Sequence, residues 1–211
     1  MRKPHLALVA PRPDNGTIGA NRPPIRRPNR ELRDREYLLP AEVEKLIAAA
    51  GDNRFGHRDA TMILAAYRHG LRVSELVMLK WENVDFNRSH LHFKRYKTNT
   101  ETVHPIPGRE LRALRRLQRE QDPKSTYVFT SMRDVPFTPA GFRKMVARLG
   151  VAAGFDYLVH PHMLRHACGY KLANDGVDTI SLAAYLGHKN IQNTQRYAAL
   201  SPTRFKDFWR D

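Results

Sequence analysis

The sequence His-Pro-His-Met-Leu-Arg-His at residues 160–166 begins a helix that we predict over residues 162–174. Leu164, Cys168 and Leu172 recur every four residues along it and therefore form a buried stripe. His162 and Arg165 are three residues apart, so they share a different face and can meet one phosphate group. The stretch thus predicts a core helix and two polar side chains that act together.

By itself this pair is a weak indication of a site, because solvated helix faces carry such residues far more often. His162 and His166 also have the four-residue spacing of zinc ligands. No carboxylate or second cysteine completes a metal site beside them. We therefore predict neither a metal nor a cofactor.

Two cationic residues upstream are candidates for the same site. Arg72 precedes Glu75 by three positions, so the carboxylate can orient the guanidinium, whose planar fork suits phosphate oxygens. Taken alone, the two would most often form a surface ion pair of little energetic value. Lys97 lies between two predicted strands, where a general contact with a DNA backbone would explain it as well; Lys94 is the alternative lysine.

Two further candidate residues lie near the C-terminus, a histidine in a predicted turn and a tyrosine. Gly187 ends a predicted helix and allows a sharp turn that can aim His188 into a pocket. Tyr197 follows nine residues later. Separately, these would be an ordinary turn histidine and a packed aromatic. Together with the arginines, they supply what nucleophilic attack on a phosphodiester requires: cations, proton-transfer groups and a nucleophile.

The order of these residues resembles that of the tyrosine recombinase (phage integrase) family, and the resemblance covers roughly residues 38–209. It is closest to the small fimbrial phase-switch recombinases, which stretch 160–166 and the ending 204–209 resemble. The resemblance implies the tyrosine recombinase catalytic-domain fold, mainly α with a small antiparallel β-sheet. It implies a site-specific recombinase that cleaves and rejoins DNA in inversion, integration or excision.

The resemblance also implies a role for each candidate residue. Tyr197 would attack the scissile phosphate and form a 3′-phosphotyrosyl bond. Lys97 would protonate the leaving 5′-oxygen, and His162 would assist proton transfer at the tyrosine. The charge on the non-bridging oxygens would be held by Arg72, Arg165 and His188.

Two other functions share parts of this pattern. A type IB topoisomerase uses the same chemistry but relaxes a single duplex. A DNA-binding regulator that has the recombinase fold and no turnover would need no tyrosine at position 197, and the presence of Tyr197 weighs against this alternative.

The charge of the chain favours a nucleic-acid partner. Its 211 residues have a formal net charge of +15 and a pI near 10.4. Lysines and arginines gain affinity for DNA by releasing its counterions, although basicity that serves only solubility would look the same. We expect double-stranded DNA as partner, self-association to a tetramer on paired DNA sites, and accessory DNA-bending proteins as possible further partners.

The composition also indicates the cellular compartment in which the protein works. The single cysteine, Cys168, excludes an internal disulfide and suits a reducing cytosol. No segment approaches the roughly 18 apolar residues of a membrane helix, and no signal-peptide core is present at the N-terminus. We expect no membrane contact and a bacterial, cytoplasmic protein associated with the nucleoid.

Three segments are expected. Residues 1–36 form a disordered arm rich in proline and arginine, with nine cations up to residue 35, which contacts DNA or is merely solvated. Residues 37–201 form the catalytic domain, and the arm leaves no room for a separate N-terminal core-binding domain. Residues 202–211 form a helical tail, whose apolar stripe docks on its own core or on a neighbouring protomer: Phe205, Phe208 and Trp209.

Periodicity predicts the remaining elements. Helices are expected from Pro40 to Gly51 and over 57–69, 72–80, 108–120, 138–149, 178–186 and 190–199. Thr138 is expected to cap one of them. A hairpin of two strands is expected over 90–96 and 102–106, and a short strand over 127–129.

Overall fold

The computed structural model of the protein describes residues 36–51, 53–121, 125–133 and 135–198. The arm up to residue 35 and the tail 202–211 lie outside the described residues. Within these ranges the chain forms eight α-helices and three short strands. In chain order they are α1 (Pro40–Gly51), α2 (Gly56–Arg68), α3 (Val73–Val77), β1 (Val84–Asp85), β2 (His90–Arg95), β3 (Thr100–Pro105), α4 (Gly108–Glu120), α5 (Pro139–Ala152), α6 (Pro161–Asn174), α7 (Thr179–Leu186) and α8 (Gln192–Ala198).

Helices α2 and α6 form the centre of the structure. Helix α2 buries every residue from Thr61 to Ala66, and α6 buries every residue from Met163 to Gly169. Helix α2 packs against α1, α4 and α6, so the main apolar cluster lies between these helices and the inner face of the sheet. The residues of the predicted stripe on α6 face the interior: Leu164 and Cys168 are buried, and Leu172 packs against the smaller apolar cluster that contains Cys168.

The sheet is antiparallel, in the order β1-β2-β3. The β2–β3 register runs from His90 opposite Pro105 to Arg95 opposite Thr100. Side chains on β2 alternate, so Phe93 and Arg95 face inward while Lys94 is exposed. The prediction of a mainly α fold with a small antiparallel sheet is confirmed, and the short strand β1 is an addition to it.

Three elements differ from the prediction by more than two residues or in kind. Helix α3 ends at Val77 rather than at residue 80, because the chain beyond it pairs with residues 126–128: Val128 N–H donates to the Leu79 carbonyl at 2.9 Å. The strand expected over 127–129 is reduced to isolated bridges, one of them between Lys80 and Tyr127. Helix α5 continues to Ala152, because the N–H of Ala153 still reaches a helical carbonyl.

The cap predicted at Thr138 is confirmed, since its Oγ1 accepts from the N–H of Gly141 at 3.0 Å. Among the described residues, no helix is long and apolar enough to cross a membrane.

Candidate active site

Five of the six candidate residues line one cavity of about 360 Å³. Its wall also includes further basic and amide side chains, and no acidic side chain stands among the described residues that line it. The lining residues are Arg72, Lys97, Thr98, His162, Arg165, Gly187, His188, Lys189, Asn190, Asn193 and Arg196. Tyr197 is not among them. The structure therefore brings the predicted cations and histidines together and places the phenol beside them.

Glu75 holds Arg72 in place. Arg72 is the N-cap residue of α3; its Nη1 donates to Glu75 Oε1 and its backbone N–H to Oε2, both at 2.9 Å. Burial of Glu75 would raise its pKa, but the charge of Arg95 and the hydrogen bonds from Arg72 outweigh burial and lower the pKa below 4.5. The predicted orientation of Arg72 by Glu75 is confirmed, and the pair is part of a buried network rather than a surface ion pair.

Arg165 is held by the carbonyl groups at two helix ends. Its side chain is buried, and it donates to the carbonyl of Gly70, just beyond α2, and to that of Leu186 at 2.5 Å, the last residue of α7. Carbonyls at a helix C-terminus lack partners within the helix and carry partial negative charge, so they suit a cation. A guanidinium has more N–H donors than these two carbonyls use. Burial, together with Arg72 and Arg95, lowers the pKa of Arg165 to about 10, so it stays charged at neutral pH.

Arg95, which is not among the residues predicted for the site, completes this arrangement. Its side chain is fully buried and donates to Glu75 Oε2 at 2.8 Å and to the carbonyls of His69 and Tyr185 at 3.1 and 2.6 Å. Arg95 therefore joins the ends of α2 and α7. The strand alternation places position 95 on the buried face, and that is the signal that could have identified it.

His188 follows the predicted turn. Gly187 caps α7 with φ 64°, and a Cβ there would lie 2.9 Å from Cγ of Arg95, so a residue with a side chain would strain the turn and clash. Nδ1 of His188 lies 2.7 Å from Oγ1 of Thr194. Burial, followed by the charges of Arg165 and Arg72, lowers the pKa of His188 to about 4. In these surroundings His188 is a neutral hydrogen-bonding group at pH 7.

Tyr197 lies behind the cavity wall and not within it. Its side chain is 1 % exposed, and its hydroxyl is 2.9 Å from Nδ1 of His166. The ring packs over the Cα of Gly169, edge-on to Tyr170, and runs nearly parallel to His188 at 6.3 Å between centroids. Burial raises the pKa of the phenol despite the opposing charges of Arg196 and Arg165.

His162, predicted to assist the tyrosine, is one ring farther away. It lines the cavity, and its ring stands edge-on to His166 at 4.5 Å between centroids. His162 is exposed at the helix surface, but desolvation by the surrounding protein and the charge of Arg165 lower its pKa to about 4; burial lowers the pKa of His166 to about 3. Both are neutral at pH 7. The residue in contact with the Tyr197 hydroxyl is His166. In the sequence, its four-residue spacing from His162 was the available indication that the two histidines lie on one face of the helix.

The lysine lies in the turn between β2 and β3. Lys97 is exposed and lines the cavity, whereas Lys94 points away from the buried face of β2 and is not among the described lining residues. The structure thus places Lys97, and not Lys94, beside the arginines. Within the described ranges, no three His, Cys, Asp or Glu side chains converge in a way that could hold a metal ion.

Comparison with a family model and with individual proteins points to the same family. Residues 36–204 match the model of the phage integrase family. The chain is 38% identical over 183 residues to the type 1 fimbriae regulatory protein FimE of Escherichia coli strain K12, a match that covers 84% of this chain and 92% of that protein.

Solved structures show the same fold. The XerA recombinase superposes with a TM-score of 0.70 at 28% identity, over 82% of this chain and 63% of that one. The XerH site-specific recombinase, solved bound to its palindromic difH substrate in a post-cleavage complex, gives 0.69 at 21% identity, over 82% of this chain and 52% of that one.

Proposed function

The chain belongs to the phage integrase family and is a tyrosine site-specific recombinase, and we propose that Tyr197 is its nucleophile and that the cavity beside it binds the scissile phosphate of DNA. The observation that carries the proposal is the charge at the cavity. Arg72 and Arg95 both pair with one buried carboxylate, Glu75, whose charge also acts on Arg165, and Arg72 and Arg165 line the cavity. Positive charge exceeds negative charge in a partly desolvated site, where a bound anion is stabilised most strongly.

The bond changes follow from this placement. The phenol oxygen of Tyr197 attacks phosphorus, the bond to the 5′-oxygen breaks, and a 3′-phosphotyrosyl ester forms. Arg72, Arg165 and His188 donate hydrogen bonds to the non-bridging oxygens, where negative charge develops. Lys97 gives its proton to the leaving 5′-oxygen. A 5′-hydroxyl from another cut strand then attacks the ester and releases the tyrosine, so no external energy source is consumed.

Attack requires the phenol to leave His166 and enter the cavity. The hydroxyl and the cavity are separated only by neighbouring rings: His188 lies parallel to the Tyr197 ring, and His162 contacts His166. His162 lines the cavity and is neutral at pH 7, so it can accept the phenolic proton there. Displacement of the short helix α8 is the simplest way to make this change.

Covalent capture on a nicked duplex tests the proposal. The duplex is built from any short inverted repeats that sequencing finds beside the gene, and a nick lets the 5′-hydroxyl fragment diffuse away after cleavage. Wild-type protein is expected to stay attached to DNA on a denaturing gel. Tyr197→Phe removes only the attacking oxygen, so it is expected to bind the same DNA with nearly unchanged affinity and to give no covalent product.

Tyr170→Phe is the matched control, because its ring lies against Tyr197 and it is the tyrosine most able to replace it. Capture by Tyr170→Phe is expected to equal that of wild type. Capture by Tyr197→Phe at the wild-type level, or its loss only in Tyr170→Phe, would mean that the nucleophile is misassigned.

Recombination further requires two DNA sites to meet. We propose a tetramer on paired sites, held partly by the tail beyond Tyr197, and a cytoplasmic, nucleoid-associated location that follows from a DNA substrate. The apolar side chains of the tail and its position directly after α8 support this role. Truncation after Ser201 is expected to preserve single-site binding and to abolish the paired complex in native gels. A truncated protein that still forms the full complex would place the tail in its own protomer's core.

A further inference from the structure

Thr194 is a fully buried polar residue to which the recombination chemistry assigns no part. It lies on α8, one helical turn before Tyr197, and its side chain is 0 % exposed. Its Oγ1 is 2.7 Å from Nδ1 of His188, which lines the cavity. A buried hydroxyl needs a hydrogen-bond partner, and here that partner is the imidazole.

The hydroxyl of Thr194 determines whether Nε2, the other imidazole nitrogen of His188, is a hydrogen-bond donor or an acceptor. A neutral imidazole carries one proton, on Nδ1 or on Nε2, and the hydrogen bond made by one nitrogen decides which form is present. When the threonine hydroxyl donates to Nδ1, the proton must be on Nε2. That nitrogen is then a donor, as a phosphate oxygen requires.

We propose that Thr194 is a positioning residue that holds His188 in the Nε2–H form, so that His188 donates to a non-bridging oxygen of the scissile phosphate. The proposal rests on the function assigned to the cavity above. It adds that the helix carrying the nucleophile also orients a phosphate ligand. At low pH, where the ring is protonated, the hydroxyl can rotate and accept from Nδ1–H, so one side chain serves both protonation states.

The groups around His188 define how pH enters the test. Arg72, Arg95, Arg165 and Arg196 act on it from four different elements, and Tyr197 lies parallel to its ring. Lys97, Lys189 and His162 line the same cavity. Of these groups, His162 is the other histidine, so its titration also contributes to the pH dependence of the rate. Comparing this pH dependence with that of a His188 variant separates the two contributions.

Thr194→Val keeps the shape of the side chain and removes the hydroxyl, whereas Thr194→Ser keeps the hydroxyl. Thr61→Val is the matched control, because Thr61 is a buried helix threonine whose hydroxyl donates to the carbonyl of His57. Single-turnover capture by Thr194→Val is expected to be slower than wild type by roughly tenfold to a hundredfold, since one preorganised donor is weakened. DNA affinity is expected to stay within about twofold, and Thr194→Ser and Thr61→Val to react nearly as wild type.

Two features of the rates distinguish positioning from a packing defect. The defect of Thr194→Val is expected to shrink as pH falls from about 6 to about 4, where the imidazole of His188 becomes protonated and carries Nε2–H without help. In a His188→Gln background, Thr194→Val is expected to add no more than about a twofold loss, since the residue through which it acts is gone. A defect that is independent of pH and persists in His188→Gln would overturn the proposal.

Nitrogen-15 NMR of the histidine side chains gives a readout that needs no cleavage. In wild type, His188 is expected in the Nε2–H form at pH 7, both free and with the duplex bound, and Thr194→Val is expected to lose this preference. An Nδ1–H form in wild type would refute the role of Thr194 even if the protein recombines normally. Absence of covalent capture alongside the expected NMR result would instead count against the proposed function alone.

Discussion

The hydroxyl of Tyr197 lies 2.9 Å from Nδ1 of His166, inside the protein and outside the cavity that its chemistry needs. Both groups are neutral at pH 7, because burial raises the pKa of the phenol and lowers that of the imidazole to about 3. The bond satisfies two buried polar groups at once. It therefore stabilises an arrangement in which the proposed nucleophile faces helix α6.

Replacing His166 is expected to show how much the hydrogen bond between Tyr197 and His166 contributes to the stability of the fold. His166→Leu leaves the phenol buried without its partner, which costs about 1–3 kcal/mol in the free energy of unfolding. In a Tyr197→Phe background the same change is expected to cost about 1 kcal/mol less, because no hydroxyl remains to be left unpaired. Urea unfolding of the two single variants and the double variant measures this coupling. Strictly additive costs would mean that the contact contributes nothing.

Gly169→Ala is expected to displace the Tyr197 ring. A Cβ at residue 169 would lie 2.7–2.9 Å from three ring carbons of Tyr197, which is too close for both groups to stay in place. Alanine otherwise favours a helix by about 1 kcal/mol over glycine, so any destabilisation comes from this contact. Tetranitromethane should nitrate Tyr197 faster in this variant, as peptide mass spectrometry can show. Gly51→Ala is the control, because no atom lies within 4 Å of a Cβ there; equal nitration in both would refute the close approach.

Cleavage is expected to depend on the guanidinium of Arg165 and not on a divalent ion. Lysine keeps the charge but cannot hold two helix-end carbonyls and a phosphate together, so Arg165→Lys should slow capture by roughly a hundredfold or more. Arg72→Ala is expected to do the same. Arg109→Ala, which breaks an exposed ion pair with Glu44, should leave the rate unchanged. Capture should persist in EDTA, and a strict magnesium requirement would contradict the mechanism.

Acid is expected to destabilise the fold through its buried neutral histidines. Burial, with the charges of His69 and Arg95, lowers the pKa of His104 to about 3, below its ordinary value of 6.5. The unfolded chain therefore takes up a proton that the folded chain refuses, so stability falls as pH drops from about 6.5 towards 3. His104→Asn keeps a hydrogen-bonding group opposite Nδ1 of His69 and cannot titrate.

In chemical unfolding between about pH 7 and pH 4, the slope of stability against pH is expected to fall in His104→Asn by up to about 1.4 kcal/mol per pH unit. An identical slope in wild type and variant would show that His104 is not the group that takes up the proton.

The N-terminal arm is expected to increase the affinity for DNA without increasing the preference for a particular DNA sequence. Deletion of residues 1–35 removes nine cations. For each DNA phosphate that the arm neutralises, the deletion should reduce the log–log salt dependence of DNA binding by about 0.9. Binding measured between low and moderate salt tests this, with a scrambled duplex as control for sequence preference. A slope that does not change would show that the arm does not bind DNA.

Local patterns were enough to predict the elements that position the site. Apolar periodicity predicted helix α6, and the three-residue spacing of Arg72 and Glu75 predicted their contact, because neighbours within one turn are set by helix geometry alone. Caps at Thr138 and Gly187 were predicted for the same reason. The order of the candidate residues along the chain, with the charge of +15, was enough to indicate the family and its DNA partner.

The tertiary structure decided which side chains meet. His166 and Tyr197 are 31 positions apart, and their contact depends on how α8 packs on α6, which no local spacing encodes. The burial of Arg95 likewise depends on packing, since its partners come from α3 and from the ends of two other helices that are distant in the chain. Hydrogen-bond geometry is decided at the scale of an ångström, whereas a sequence pattern specifies only which face of an element a residue occupies. The sequence therefore determined the set of candidate groups, and only the fold determined that the proposed nucleophile rests on a histidine behind the cavity.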